Sequence, residues 1–253
     1  MPPSDTTHLT AAALLEHLHT LANPHHQAGM ARFGINAAQA LGISMPTLRA
    51  IAKNIKTSTK HENVHRHILA QDLWESGIHE ARILAILIED PMLMPTTQIE
   101  SWVRDVDSWD ICDQLCSNLL WRIPYAEQQI TTWCADDAEF VRRVGIVMIA
   151  VCAVHDKKAD DARFEMFFPL LEQYAYDDRN FVKKAVNWSL RQLGKRSAAL
   201  LRQAVACAER IKAQNTSSAR WIASDALREF AKLPDDYFSK KKISSTRLAA
   251  VGN

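Results

Sequence analysis

Apolar side chains recur at three- and four-residue spacing through almost the whole chain, and the stretches that carry them come in pairs. A helix with such a stripe must bury it against another element. The pairs are 64–75 with 78–88, 97–106 with 109–120, 126–134 with 140–154, 164–174 with 181–193, and 198–211 with 218–230. Pro91 and Pro124 end the first two. The pairs echo one another. FVRRVGIVMIA at 140–150 and FVKKAVNWSLR at 181–191 both open on Phe, Val and two bases, and ARILAILI at 81–88 resembles ARWIASDAL at 219–227. Two helices repeated every roughly 40 residues is the pattern of HEAT-like and armadillo-like solenoids, whose units bury apolar surface only against their neighbours. The expected fold is therefore all-α: an α-α superhelix whose second helices line a concave, basic cleft. An irregular helical bundle is the alternative.

Composition narrows the function classes. With 7 glycines and 9 prolines in 253 residues, neither a turn-rich all-β fold nor a Gly-rich phosphate loop is a main theme. No apolar run approaches the roughly 18 residues of a membrane span. The opening MPPSDTTHLT has neither a basic nor an apolar region, so no secretory signal is expected and the cytoplasm is the expected compartment. Cys112, Cys116, Cys134, Cys152 and Cys207 lie in helical, largely apolar stretches and read as reduced thiols. A net charge of +1 conceals +10 over residues 181–253 and −9 over residues 1–180. The C-terminal third can thus offer a positive surface to an anionic partner, or simply carry solvated helix faces and a basic tail.

Nearer the N-terminus, residues 9–22 form a helix that Thr10 caps and Asn23-Pro24 stops, and Ser44 caps a second over 44–55 with Leu48, Ile51, Ala52 and Ile55 on one face. A turn is expected around Gly34 and a loop over 56–62. The chain accordingly divides into an N-terminal extension and capping helix, 1–27, the helical array, 28–233, and a polar tail, 234–253, whose Lys run at 240–242 suits weak nonspecific contact with an anionic polymer.

Two constellations carry chemistry. In SWDICDQLC at 108–116, with Asp107 or Ser108 as cap, Trp109 and Asp113 stand four apart on one helical face. They form either a polarised pocket or a core indole beside a salt-bridged acid. In VKKAVNWSLRQLGKR at 182–196, Lys184, Trp188 and Arg191 place cation, indole and cation on one face, opposite Val182, Ala185, Val186, Ser189 and Leu193. Such a face suits a phosphate backbone beside an apolar sugar or base, or an inter-repeat packing tryptophan with solvated bases around it. Arg142-Arg143 sits on the neighbouring second helix. The histidines of HENVHRH (His61, His65, His67) lack a completing ligand set and read as a solvated loop; no metal or other cofactor is expected.

ALGISMPTLRAIAK, GIHEARILA, VDSWDICDQ, FVRRVGI and FVKKAVNWSLRQLGKR, in this order over about residues 28–231, resemble the AlkD-like DNA alkylation-repair family. The resemblance implies a HEAT-like fold and a monofunctional DNA glycosylase that hydrolyses the glycosidic bond of N3- and N7-alkylpurines such as 3-methyladenine and 7-methylguanine in duplex DNA, a base-excision step without tight base flipping. It implies Asp113 as the catalytic carboxylate, Trp109 and Trp188 as the aromatic pair flanking the lesion's deoxyribose, and Arg143 as the arginine on the lesion backbone. Arg191, Arg49 and Lys53 match more loosely as backbone contacts, and Lys184 joins them by its place beside Trp188. The expected partner is duplex DNA carrying alkylated purines, with no membrane, and the protein is expected to be a monomer. Two other functions suit the same array: a non-catalytic binder of damaged or branched DNA, and a protein-interaction scaffold.

Overall fold

The computed structural model describes residues 9–240, and these contain helices, 3-10 turns and loops but no strand. The Lys run beyond Lys240, the rest of the tail and residues 1–8 lie outside the described residues. The chain divides into two compact units, Met1–Gln128 and Gln129–Asn253.

The first unit contains α1 (Ala11–Thr20), α2 (Pro24–Met30), 3-10 turns at Ala31–Phe33 and Ala37–Gln39, α3 (Met45–Ser58), α4 (Asn63–Glu75), α5 (His79–Ile88), α6 (Thr96–Arg104), α7 (Trp109–Asn118), a 3-10 turn at Leu120–Arg122, and α8 (Pro124–Gln128). Thr10 and Ser44 cap α1 and α3 as expected, through their side-chain oxygens. Asn23 ends one helix and starts the next: its side chain accepts the His26 amide at 3.1 Å, and Pro24 occupies the first turn of α2, where its missing N–H costs nothing. Helix α3 runs on to Ser58, three residues past the expected end, because Lys56, Thr57 and Ser58 continue its exposed face without a breaker. α3 packs on α5 and α5 on α7, while α4 pairs with α5. The N-terminal helix belongs to this packing, since α1 buries Leu14 and Leu18 and contacts α4 and α5.

Within the second unit lie α9 (Ile130–Ala135), α10 (Glu139–His155), α11 (Ala162–Glu165), α12 (Phe167–Tyr174), α13 (Asn180–Gly194), α14 (Ala198–Ala213) and α15 (Ser217–Phe230). Two segments read as single helices from sequence, 126–134 and 164–174, are broken between α8 and α9 and between α11 and α12. The second helices again form a row, α10 on α13 and α13 on α15. Buried donors link it: Ser189 Oγ gives its proton to the Ile146 carbonyl at 2.7 Å, and Asn187 Nδ2 donates to that of Ile222 at 3.1 Å. The echoed phenylalanines meet, with the Phe140 and Phe181 rings stacked 5.5 Å apart. Gly145 lets α9 press against α10; a Cβ there would stand 2.6 Å from the Cys134 amide nitrogen. All five cysteines are buried and unbridged, and burial pushes the Cys134 and Cys207 thiols well up.

Candidate functional site

The first helical turn of α7 is held from two sides. Ser108 occupies the cap position, yet its hydroxyl donates to Asp110 Oδ1 at 2.6 Å instead of accepting a backbone amide. Asp110 also meets His79 Nε2 at 2.8 Å. Burial alone would lower the His79 pKa, but the hydrogen bond and charge of Asp110, with Glu80 and Asp107 nearby, raise it above the usual value. Burial would raise that of Asp110, and His79, Ser108 and the Ile111 amide outweigh it, leaving the carboxyl below its ordinary range.

On the other side, the Trp109 indole N–H donates to the Phe33 carbonyl at 2.9 Å, and Asn36 Nδ2 donates to Asp107 at 2.7 Å. The turn that presents Phe33 closes on Gly34, whose φ of 73° is left-handed. Phe33 itself is 71% exposed beside the indole. Sequence reasoning missed Phe33 and Asn36; the FGIN run carries turn residues, but nothing in its spacing shows where it docks. Ile111, Cys112, Leu115 and Cys116 fill the buried face of α7, leaving Trp109 and Asp113 half-buried together on another. The spacing of four did put them on one face.

In the second unit, Trp188 is half-buried on α13, Lys184 is exposed, and the five residues expected opposite them are all buried. Arg143 on α10 is 5% exposed, with Nη1 donating to the Phe181 carbonyl at 2.6 Å. Its neighbour Arg142 pairs with buried Asp177 at 2.7 Å. Arg191 is engaged with Glu229, and with Asp225 at 3.9 Å. The expected residues thus fall into two groups: Trp109 and Asp113 with Arg49 and Lys53 in one unit, and Arg143, Lys184, Trp188 and Arg191 in the other. Of the expected cations, Arg49, Lys53 and Lys184 are exposed.

Among the described residues, no group of three or more His, Cys, Asp or Glu is placed to hold a metal ion. The sequence reads HENVHRH as a loop, but it lies mostly in α4, with His67 Nδ1 2.9 Å from the buried Glu89 carboxylate and His65 Nε2 3.0 Å from the Leu9 carbonyl. No described helix is long and apolar enough to cross a membrane.

A search of curated proteins returned no match. Among solved structures, the fold is similar to that of a protein described as belonging to a new family related to the HEAT-like repeat DNA glycosylases with affinity for branched DNA structures. The two share 17% identity and a TM-score of 0.69, over 87% of this chain and 95% of the other. That likeness confirms the HEAT-like all-α fold. The family model for DNA alkylation repair enzymes matches residues 14–230. The chain therefore belongs to the DNA alkylation repair enzyme family.

Proposed function

We propose that the protein, a cytoplasmic monomer, hydrolyses the glycosidic bond of cationic N3- and N7-alkylpurines in duplex DNA. The observation that carries this reading is the pairing of Trp109 and Asp113 on the one face of α7 that its core residues leave open. Alkylation puts positive charge on the purine, so the bond is already weak and its cleavage leaves oxocarbenium character on the sugar. The Asp113 carboxylate stabilises that charge and orients a water toward the anomeric carbon. The electron-rich faces of Trp109 and Trp188 suit a sugar carrying partial positive charge. Such a site holds the sugar more than the base, so it needs no tight pocket for a flipped base. Lys184, Arg49 and Lys53 are the exposed cations that suit phosphates, whereas Arg191 and Arg143 must exchange or share an internal partner to reach one.

The second reading is a binder without chemistry, and the structural relative with affinity for branched DNA favours it. One assay separates them. Purified protein is incubated with methylated duplex DNA, and free 7-methylguanine and 3-methyladenine are measured. Excision requires release that falls at least about 100-fold in Asp113→Asn, the lower range for a positioned acid–base or charge-stabilising group. Tight binding without release selects the binder. Release unchanged by Asp113→Asn removes the carboxylate from the mechanism.

A further inference from the structure

The face of α3 carries Arg49, Lys53 and Lys56, and Lys60 follows in the turn beyond, at spacings of four, three and four. They share one flank and span about 16 Å at 1.5 Å per residue. With Ala52, Thr57 and Leu87 they line a groove of about 430 Å³ that has no acidic residue in its lining. This groove differs from another cavity of the first unit, about 500 Å³ between α4 and α6, whose lining mixes Arg82 with Glu75 and Asp105.

These four cations combine a shared groove without acids with the absence of ion pairing. Elsewhere, Arg66 meets Asp90, Arg82 meets Asp107, Arg142 and Arg179 meet Asp177, Arg196 meets Asp161, and Arg210 meets Glu172. Arg49, Lys53, Lys56 and Lys60 make no ion pair with any described residue. Their surroundings add positive charge. Partial burial, then Arg122 and Arg66, push the Lys56 ammonium below its usual value against a smaller opposing pull from Asp90, which is itself 3.7 Å from Arg66. A row of cations that repel one another and have no internal counter-ion is stabilised by an external polyanion.

We propose that Lys56 and Lys60 extend Arg49 and Lys53 into a continuous phosphate track that takes the backbone of one strand of duplex DNA. The match is one of charge and length: four cations in about 16 Å against about five phosphates of one strand over the same axial distance. The apolar floor of Ala52 and Leu87 suits the sugars between them. This inference rests on the DNA-binding part of the function proposed above and is independent of excision.

The test is the salt dependence of binding to an unmodified fluorescent duplex by anisotropy. Three proteins are compared: the wild type, Lys56→Gln/Lys60→Gln, and Lys157→Gln/Lys158→Gln, which removes the same charge from an exposed loop. Each phosphate contact contributes about 0.9 to the slope of log K against log salt. The track variant should lose about 1.8 from that slope, and the loop variant should keep it. An unchanged slope in the track variant, an equal loss in both variants, or a wild type that does not bind duplex DNA at low salt overturns the inference. A lost slope beside absent base release in the assay above leaves the track standing and ends the excision reading alone.

Discussion

Glu80 on α5 is 1% exposed, and its carboxylate accepts three successive amides of the loop leading into α3: Leu41 at 2.7 Å, Gly42 at 2.6 Å and Ile43 at 3.2 Å. The Asn23 amide donates back to the Leu41 carbonyl at 2.7 Å, so one side chain holds together the start of α2, the loop and the approach to α3. Glu80→Ala strands all three amides. The Gly42 amide is buried and bears the full cost of about 1–3 kcal/mol, whereas those of Leu41 and Ile43 lie near enough to the surface for water to offset part of theirs. The sum is about 3–5 kcal/mol, a large fraction of the roughly 5–15 kcal/mol that holds a domain folded. Glu80→Gln behaves differently. Its oxygen can still accept from Gly42 and Ile43, while its NH₂ faces the Leu41 amide, so about 1–2 kcal/mol is lost. Urea unfolding monitored by tryptophan fluorescence reads both as shifts of midpoint at unchanged slope. Native-state hydrogen exchange should quicken at Leu41, Gly42 and Ile43 in the alanine variant. A loss below about 1 kcal/mol in Glu80→Ala, or equal losses in the two variants, refutes the clamp.

Two further perturbations test the frame around the site. The raised pKa of His79 gives stability that is full below its unfolded value of about 6.5 and is lost as pH rises through the folded value. The lowered pKa of Asp110 gives stability that is full above about 3.9 and is lost as pH falls through its folded value. The stability difference between wild type and His79→Gln should therefore peak between about pH 4 and 6.5 and shrink toward pH 8; a flat difference across that range removes the ion pair from the anchoring of α7. In Gly145→Ala, the new Cβ meets backbone atoms of α9, 2.6 Å from the Cys134 nitrogen and 2.9 Å from the Ile130 oxygen. The helices must separate at a cost of about 2 kcal/mol, and the melting temperature should fall by about 4–8 °C; an unchanged melt shows that the α9–α10 contact yields freely.

Periodicity made most of the helices legible, because each apolar stripe survives into the structure as a buried face. Val182, Ala185, Val186, Ser189 and Leu193 on α13 show this directly. It failed at two helix breaks: the one at Gln129 between α8 and α9 leaves no mark in hydrophobic spacing, and the one at Met166 between α11 and α12 is marked only by Pro169, which cannot donate to the Glu165 carbonyl four residues back. Within the site, the i, i+4 rule placed Trp109 with Asp113. It was blind to long-range partners. The Phe33 carbonyl under the Trp109 indole lies 76 residues away in sequence, and the pairing of His79 with Asp110 spans 31. Ser108 looks like a helix cap by residue type; the neighbouring Asp110 carboxylate draws its hydroxyl proton instead.

Charge was the least legible property, and the reason is physical. Summed along the chain, the positive excess lies in residues 181–253. An anionic ligand, however, responds to cations whose field is not already cancelled, and a sum cannot register cancellation across space. In the C-terminal third, Arg191 and Lys195 share Glu229, Arg196 meets Asp161, Arg210 meets Glu172 and Arg228 meets Asp225. Two of these acids, Asp161 and Glu172, come from the first 180 residues, so part of the apparent excess is neutralised by the apparent deficit. The α3 row lies inside the segment with net charge −9, yet its four cations have no acid opposite them. Local pairing, more than regional net charge, thus decides where a polyanion gains the most, and for this chain it favours a helix that the charge count alone would pass over.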